Sequence, residues 1–171
     1  MRYLINDRLC NIENFSFMPM VLLILRKATV DDCDILYEMA NDPLTRQNSF
    51  NTDQIPYETH IIWFTQKIES EQCLLYIAEI EGNAIGQIRI DCSDDKQQGN
   101  IDYTVHHNYR GNGYGTEILQ HVLTLPEVQE IAILIGEVKI DNIASQKSLM
   151  RAGFRNVKSG DIIRFCFEVG K

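Results

Sequence analysis

One α/β domain over residues 21–171, with a central, twisted, mostly antiparallel mixed sheet of about six to seven strands and about four flanking helices, is what this sequence predicts. Apolar residues alternate between a strand-like period of two and a helical period of 3.6, and no repeat or low-complexity linker interrupts them. The chain has 171 residues, 44% of them hydrophobic, which suits a single domain able to bury a core. Consecutive strand-like segments in its middle are joined by short connections, and these favour antiparallel pairing.

Residues Met1 to Pro19 fit no clear period, so residues 1–20 read as an N-terminal appendage, with Met18 and Met20 as candidate natural starts. "LLILRKAT" reads as a buried strand. Asp31 or Asp32 can cap a helix running through Ile35, Leu36 and Met39 until Pro43 stops it. The polar loop "TRQNSFN" follows, and Pro56 opens a second helix through Lys67. "CLLYIAEI", "NAIGQIRID" and "NIDYTVH" are three successive strands, the first two joined by the turn signal "EGN". A third helix runs to Leu125, ended by Pro126. The strand "IAILIGEV" comes next, then a helix from Asn142 to Arg151 closed by Gly153, then strands near Phe154 and from Ile163 to Val169.

Composition narrows the function. A formal charge of −8 argues against an electrostatic grip on nucleic acid. The five cysteines are scattered, without a C-x-x-C pair or a zinc-like His spacing, so no metal is expected and reduced thiols in a cytoplasm fit best. The longest apolar run, "MPMVLLIL", is too short to span a bilayer and lacks a signal peptide's flanks, so no membrane partner is expected.

The junction "VHHNYRGNGYGTEILQHVL" places Arg110, Gly111, Gly113 and Gly115 between a strand and a helix. A helix start exposes unpaired N–H groups at the positive end of its dipole, and glycine lets backbone approach a ligand, so the junction suits a phosphate or pyrophosphate. A tight turn with no ligand uses the same residues. A dinucleotide fingerprint fails because Thr116 replaces its last glycine, the strand is not the first, and no acidic residue ends the next strand at the right distance. A Walker loop fails for want of Gly-Lys-Ser/Thr.

"YRGNGYG" and, further on, "DNIASQKSLMRAGF" resemble the two signatures of the GNAT superfamily of acetyl-CoA-dependent N-acetyltransferases, and the resemblance spans Leu23 to Val169 in element order. It implies the GNAT fold, acetyl-CoA as co-substrate and no metal. Backbone N–H groups of Arg110, Gly111, Asn112, Gly113, Tyr114, Gly115 and Thr116 would cradle the pyrophosphate. The strand around Val105 would pair with the pantetheine arm, and Asn142 would touch the same arm or act as a helix cap. Many relatives carry a tyrosine that protonates the leaving thiolate where this chain has Leu149, so Ser148, another hydroxyl, a cysteine, water or unassisted departure takes that role.

Amine attack on a thioester needs a proton acceptor and a donor for the oxyanion, here a backbone N–H near Val105. Candidate bases are Asp102, Glu79, His106 and His107. By the two-residue period Asn100, Asp102, Thr104 and His106 share one strand face, with His107 pointing the other way; the alternative is a merely solvated face.

For the acceptor, helical rotation of "YETHIIWFTQKIES" puts Tyr57, Ile61, Phe64 and Ile68 on the core stripe and Trp63 off it, flanked by His60 and Lys67. Trp63 then either needs cover, from the appendage or a homodimer partner, or walls a substrate pocket with His60. "NDPLTRQNSFNTDQI" with "HIIWF" resembles acetyltransferases of nucleotide-linked 4-amino sugars. That likeness implies Arg46 and Asn51 on phosphate or sugar hydroxyls, Ser49 as a hydrogen-bonding group and Phe50 as a stacking surface, against the alternative of a solvated loop. Two other readings stay open: an N-terminal protein acetyltransferase of the ribosomal-protein type, and a non-catalytic acyl-CoA-binding module.

Overall fold

The computed structural model describes residues 22–170, together with a short antiparallel pair, Leu4–Ile5 against Arg8–Leu9. Apart from that pair, the expected appendage lies outside the described residues.

β1 (Leu23–Lys27) leads through a 3-10 turn into α1 (Cys33–Asn41). Asp32 stands at the N-cap position, but its carboxylate bonds the Thr29 N–H and the Arg26 guanidinium instead of the first turn of α1. Pro43 does end α1, and it also starts a second helix the sequence reading missed: α2 (Pro43–Asn48) replaces half of the expected polar loop. Proline suits the first turn of a helix because no N–H is needed there, and the Asp42 carboxylate caps it by accepting from the Thr45 N–H.

α3 (Tyr57–Glu69) precedes β2 (Cys73–Ile80), β3 (Asn83–Cys92) and β4 (Gln98–Val105). Then come α4 (Tyr114–Val122), β5 (Ile133–Lys139), α5 (Ile143–Arg151), β6 (Arg155–Lys158) and β7 (Ile162–Glu168). The seven strands form one sheet in the order β1-β2-β3-β4-β5-β7-β6. Every pairing is antiparallel except β4 with β5, so the expected mixed sheet of mostly antiparallel strands is present. Ile88 and Ile90 pack with Ile118, Leu119, Leu134 and Leu149 on the face covered by α4 and α5. Leu75 and Ile77 pack with Leu36 and Phe64 on the face covered by α1 and α3.

The one parallel pair is short. β4 and β5 are in register from Gln98↔Ile133 only as far as Ile101↔Gly136. Beyond that, β4 stays paired to β3 as far as Val105 and β5 stays paired to β7 as far as Lys139. The strands therefore splay, and the far half of β4 keeps one edge unpaired at the middle of the sheet.

The buried face of α3 is rotated from the expected stripe. His60 and Phe64 are its buried residues and Trp63 packs beside them, whereas Tyr57 and Ile61 are exposed. His60 is 1% exposed, stacks on Phe64 and donates from Nε2 to the Cys33 carbonyl at 3.0 Å, so a core place costs it no hydrogen bond. Burial lowers its pKa below the ordinary 6.5, outweighing the Cys33 bond and the nearby Asp34 charge. The unfolded chain therefore takes up a proton at His60 before the folded chain does. Stability should fall as pH drops below about 6.5, and His60→Phe should flatten that part of the pH profile in chemical denaturation.

Candidate active site

The splayed edge of β4 runs into a loop that cannot pair its own backbone. The His106 N–H bonds Ile85 O on the β3 side, so by the alternation of an antiparallel ladder the Tyr103 and Val105 backbone groups face the splay. Past the 3-10 turn at His107–Tyr109, Gly113 sits at the N-cap of α4 with φ of +89°, a left-handed conformation that any side chain would strain. A Cβ there would meet nothing within 4 Å, so the space in front of it is open.

Among the described residues, no partner accepts from the N–H groups of Gly111, Asn112, Gly113, Tyr114 or Gly115. Thr116 departs from the expected cradle, because its N–H already bonds Gly113 O at 2.9 Å. A Cβ on Gly115 would come within 3.2 Å of Ser148 Oγ and of the Tyr103 ring, so α4 lies this close to β4 and α5 only without a side chain. Unpartnered backbone N–H groups at the positive end of a helix suit an anion.

The Arg110 N–H also has no partner among the described residues, while its side chain is committed to neighbouring segments. Its Nε donates to Val105 O at 3.1 Å, and Nη2 bonds Asp42 Oδ1 at 2.6 Å and Thr45 Oγ1 at 2.9 Å. Burial opposes the Asp42 carboxylate, but the Arg110 and Thr45 donors outweigh it and hold its pKa below the ordinary range. On the other arm, Lys139 at the end of β5 bonds Gln47 O of α2. The α1–α2 segment is thus pinned across both arms of the splay.

The opposite face of β4 carries the carboxylates. Asp102 and Thr104 both lie within reach of Gln87 Nε2, at 3.0 and 3.5 Å, which confirms that they share a face. Asp102 is exposed and keeps its second oxygen free. His106 is buried: Nδ1 accepts from the Asn108 N–H at 3.3 Å, so the ring proton sits on Nε2, 3.2 Å from Glu38 Oε1. Both ring nitrogens of His106 are thus engaged, one of them with Glu38. His107 does not point away as expected. The strand ends at Val105, its two-residue period ends with it, and the 3-10 turn brings the His107 ring to a centroid distance of 4.2 Å from His106. Glu79 is paired with Arg26 Nε at 2.7 Å in the Arg26–Asp32–Glu79 cluster beside β1.

The expected acceptor residues are divided. Arg46 is turned back on its own loop: it donates to Ser49 Oγ at 2.9 Å and to the carbonyls of Asn51 and Asp53, and its buried Nε has no partner. Ser49 and Asn51 are spent in the same loop. Phe50 is 57% exposed. Trp63 is half-buried between His60 and the Arg89 guanidinium, 5.2 Å from its ring. Asn142 caps α5 by accepting from the Ser145 N–H at 3.1 Å, which leaves its Nδ2 free. Leu149 is a core residue, packed with Ile118 and Leu134.

Three residues here were missed from sequence: Glu38, Asp42 and Gln87. Glu38 and His106 are separated by 68 positions, as are Asp42 and Arg110, and no local pattern links such pairs.

The chain matches the family model described as an acetyltransferase (GNAT) domain over residues 23–155. Among curated proteins none matches. Among solved structures, spermidine N-acetyltransferase from Vibrio cholerae in complex with CoA and spermine superposes with a TM-score of 0.78 at 13% identity, covering 87% of this chain and 96% of that one. Aminoglycoside acetyltransferase AAC(6')-Ib in complex with coenzyme A and kanamycin gives 0.74 at 17% identity, with 86% and 95% coverage. A GNAT-family acetyltransferase from Streptococcus pneumoniae gives 0.71 at 18%, with 87% and 100% coverage.

Proposed function

The chain belongs to the acetyltransferase (GNAT) family, whose domain it matches over residues 23–155, and from that premise we propose that it transfers acetyl from acetyl-CoA to the primary amine of a small cationic acceptor. One observation carries the reading: the unpaired edge of β4 runs into a loop of unpartnered N–H groups, with Asp102 and Glu38 on the other face of the same strand end.

Acetyl-CoA, when bound, supplies an acyl carbon activated as a thioester. The N–H groups of residues 111–115 and the N-terminus of α4 hold its pyrophosphate, and the open space before Gly113 admits it. The Tyr103 backbone pairs with the pantetheine amides as a neighbouring strand would. The Val105 N–H, whose own carbonyl is held by Arg110, donates to charge developing on the acyl oxygen. Asp102 accepts the ammonium proton and, being exposed, passes it to water. As the N–C bond forms and the C–S bond breaks, nitrogen's second proton goes to water and sulfur leaves as a thiolate, whose low basicity removes the need for an acid at Leu149.

The cationic acceptor is argued from charge. The chain carries 24 acidic against 16 basic residues, and Asp102 and Glu38 are the carboxylates at the cleft. The neighbours crystallised with spermine and kanamycin are consistent with acceptors of this type. The second reading, a nucleotide-linked amino sugar lying across Trp63, Phe50 and Arg46, is favoured by the exposed Phe50 ring.

A thiol-release assay against polyamines, aminoglycosides, UDP- and dTDP-linked amino sugars and N-terminal peptides tests both. Turnover concentrated on the polyamines or aminoglycosides supports the first reading. Turnover only on nucleotide-linked sugars, with a steep rise in acceptor KM in Arg46→Ala, replaces it with the second. Efficient acetylation of peptides alone overturns both in favour of a protein N-terminal acetyltransferase, and coenzyme binding without turnover on any amine leaves a binding module.

A further inference from the structure

Three potential metal ligands meet beside the cleft. Glu38 on α1, His106 at the end of β4 and His107 in the following turn each bring one ligand atom within 4.8 Å of the others. His106 Nε2 is 3.2 Å from Glu38 Oε1, and His107 Nδ1 is 4.0 Å from the same oxygen. In a tetrahedral zinc site with bonds of about 2.0–2.2 Å, neighbouring ligand atoms stand roughly 3.3–3.5 Å apart. The first pair already has nearly that spacing. The second must close by roughly half an ångström, and the His107 side chain, 47% exposed, is free to turn.

The chemistry of the set is selective. Two imidazoles and one carboxylate suit a borderline transition ion such as Zn2+ and not Mg2+ or Ca2+, which prefer all-oxygen sites. The His106 ring is already held by its neighbours, as metal-bound imidazoles are. Coordination through Nε2 moves the ring proton to Nδ1, gives up the long bond from Asn108 and replaces the Nε2–Glu38 hydrogen bond with a shared ion.

We propose that Glu38, His106 and His107 bind one Zn2+ ion, water completing its coordination, and that the bound ion inhibits acetyl transfer by capping the carboxylate at the acceptor side of the cleft. The binding stands on the geometry alone; the inhibition rests on the acetyltransferase reading.

Zinc chloride titrated calorimetrically into tag-free protein without coenzyme separates the two. The expected result is one site of micromolar affinity, weakened at least tenfold in His107→Ala, a variant that keeps Asp102 and the N–H groups of residues 111–115. An absent signal, or equal affinity in the variant, overturns the site. In the thiol-release assay, micromolar zinc should slow the native protein and spare His107→Ala, and chelator should restore the rate. Equal inhibition of both proteins would overturn the inhibitory role while leaving the family assignment intact.

Discussion

Gly113→Asp is expected to weaken acetyl-CoA binding by about a hundredfold or more while the fold survives. The position faces open space, since a Cβ there meets nothing within 4 Å beyond its chain neighbours. It does meet the ligand. A carboxylate roughly 4 Å from a phosphate costs about 4 kcal/mol at the effective dielectric of a protein surface, before any loss from blocked N–H groups. Every 1.4 kcal/mol is a factor of about ten in affinity. Backbone strain at φ +89° adds a smaller penalty to folding, and Gly113→Ala carries that strain without the charge. Calorimetry on both variants separates the effects: alanine should retain most of the affinity and aspartate should not. If aspartate binds the coenzyme as tightly as the native protein, this loop does not hold the pyrophosphate.

Asp102→Asn should lower turnover by about a hundredfold or more and leave acetyl-CoA affinity near normal. Asparagine keeps the shape and can still accept from Gln87 Nε2 through its carbonyl oxygen, so the strand face stays ordered while the proton acceptor is lost. His106→Ala is the informative partner. Both ring nitrogens of His106 are engaged, so its removal acts through the orientation of Glu38 and should cost less than Asp102→Asn. Full turnover in Asp102→Asn would move proton transfer to Glu38, the other carboxylate at the cleft.

Much of this architecture was legible because it follows local rules. The strands β2, β3 and β4 announced themselves by alternation and short turns, and the loop before α4 by glycines that a left-handed cap and a close helix–strand approach require. What was not legible depends on partners distant in sequence. No local pattern tells that Asp42 and Thr45 hold the Arg110 side chain, or that Arg26 pairs with Glu79. The stripe on α3 was misplaced because a histidine counts as polar in a pattern, whereas His60 meets a carbonyl and two aromatic rings inside the core. His107 was misplaced because the strand stops one residue before His106. In each case tertiary contact overrode a correct local rule.

The central claim is that the unpaired edge of β4 and the loop after it form the coenzyme site. Amide hydrogen exchange with and without CoA tests it most directly, because among the described residues the N–H groups of residues 111–115 have no partners. The account predicts slowed exchange on adding CoA in the segment from Tyr103 to Gly115, with the β6–β7 hairpin unchanged. Unchanged exchange from Tyr103 to Gly115 under saturating CoA, or protection confined to another part of the sheet, would contradict it.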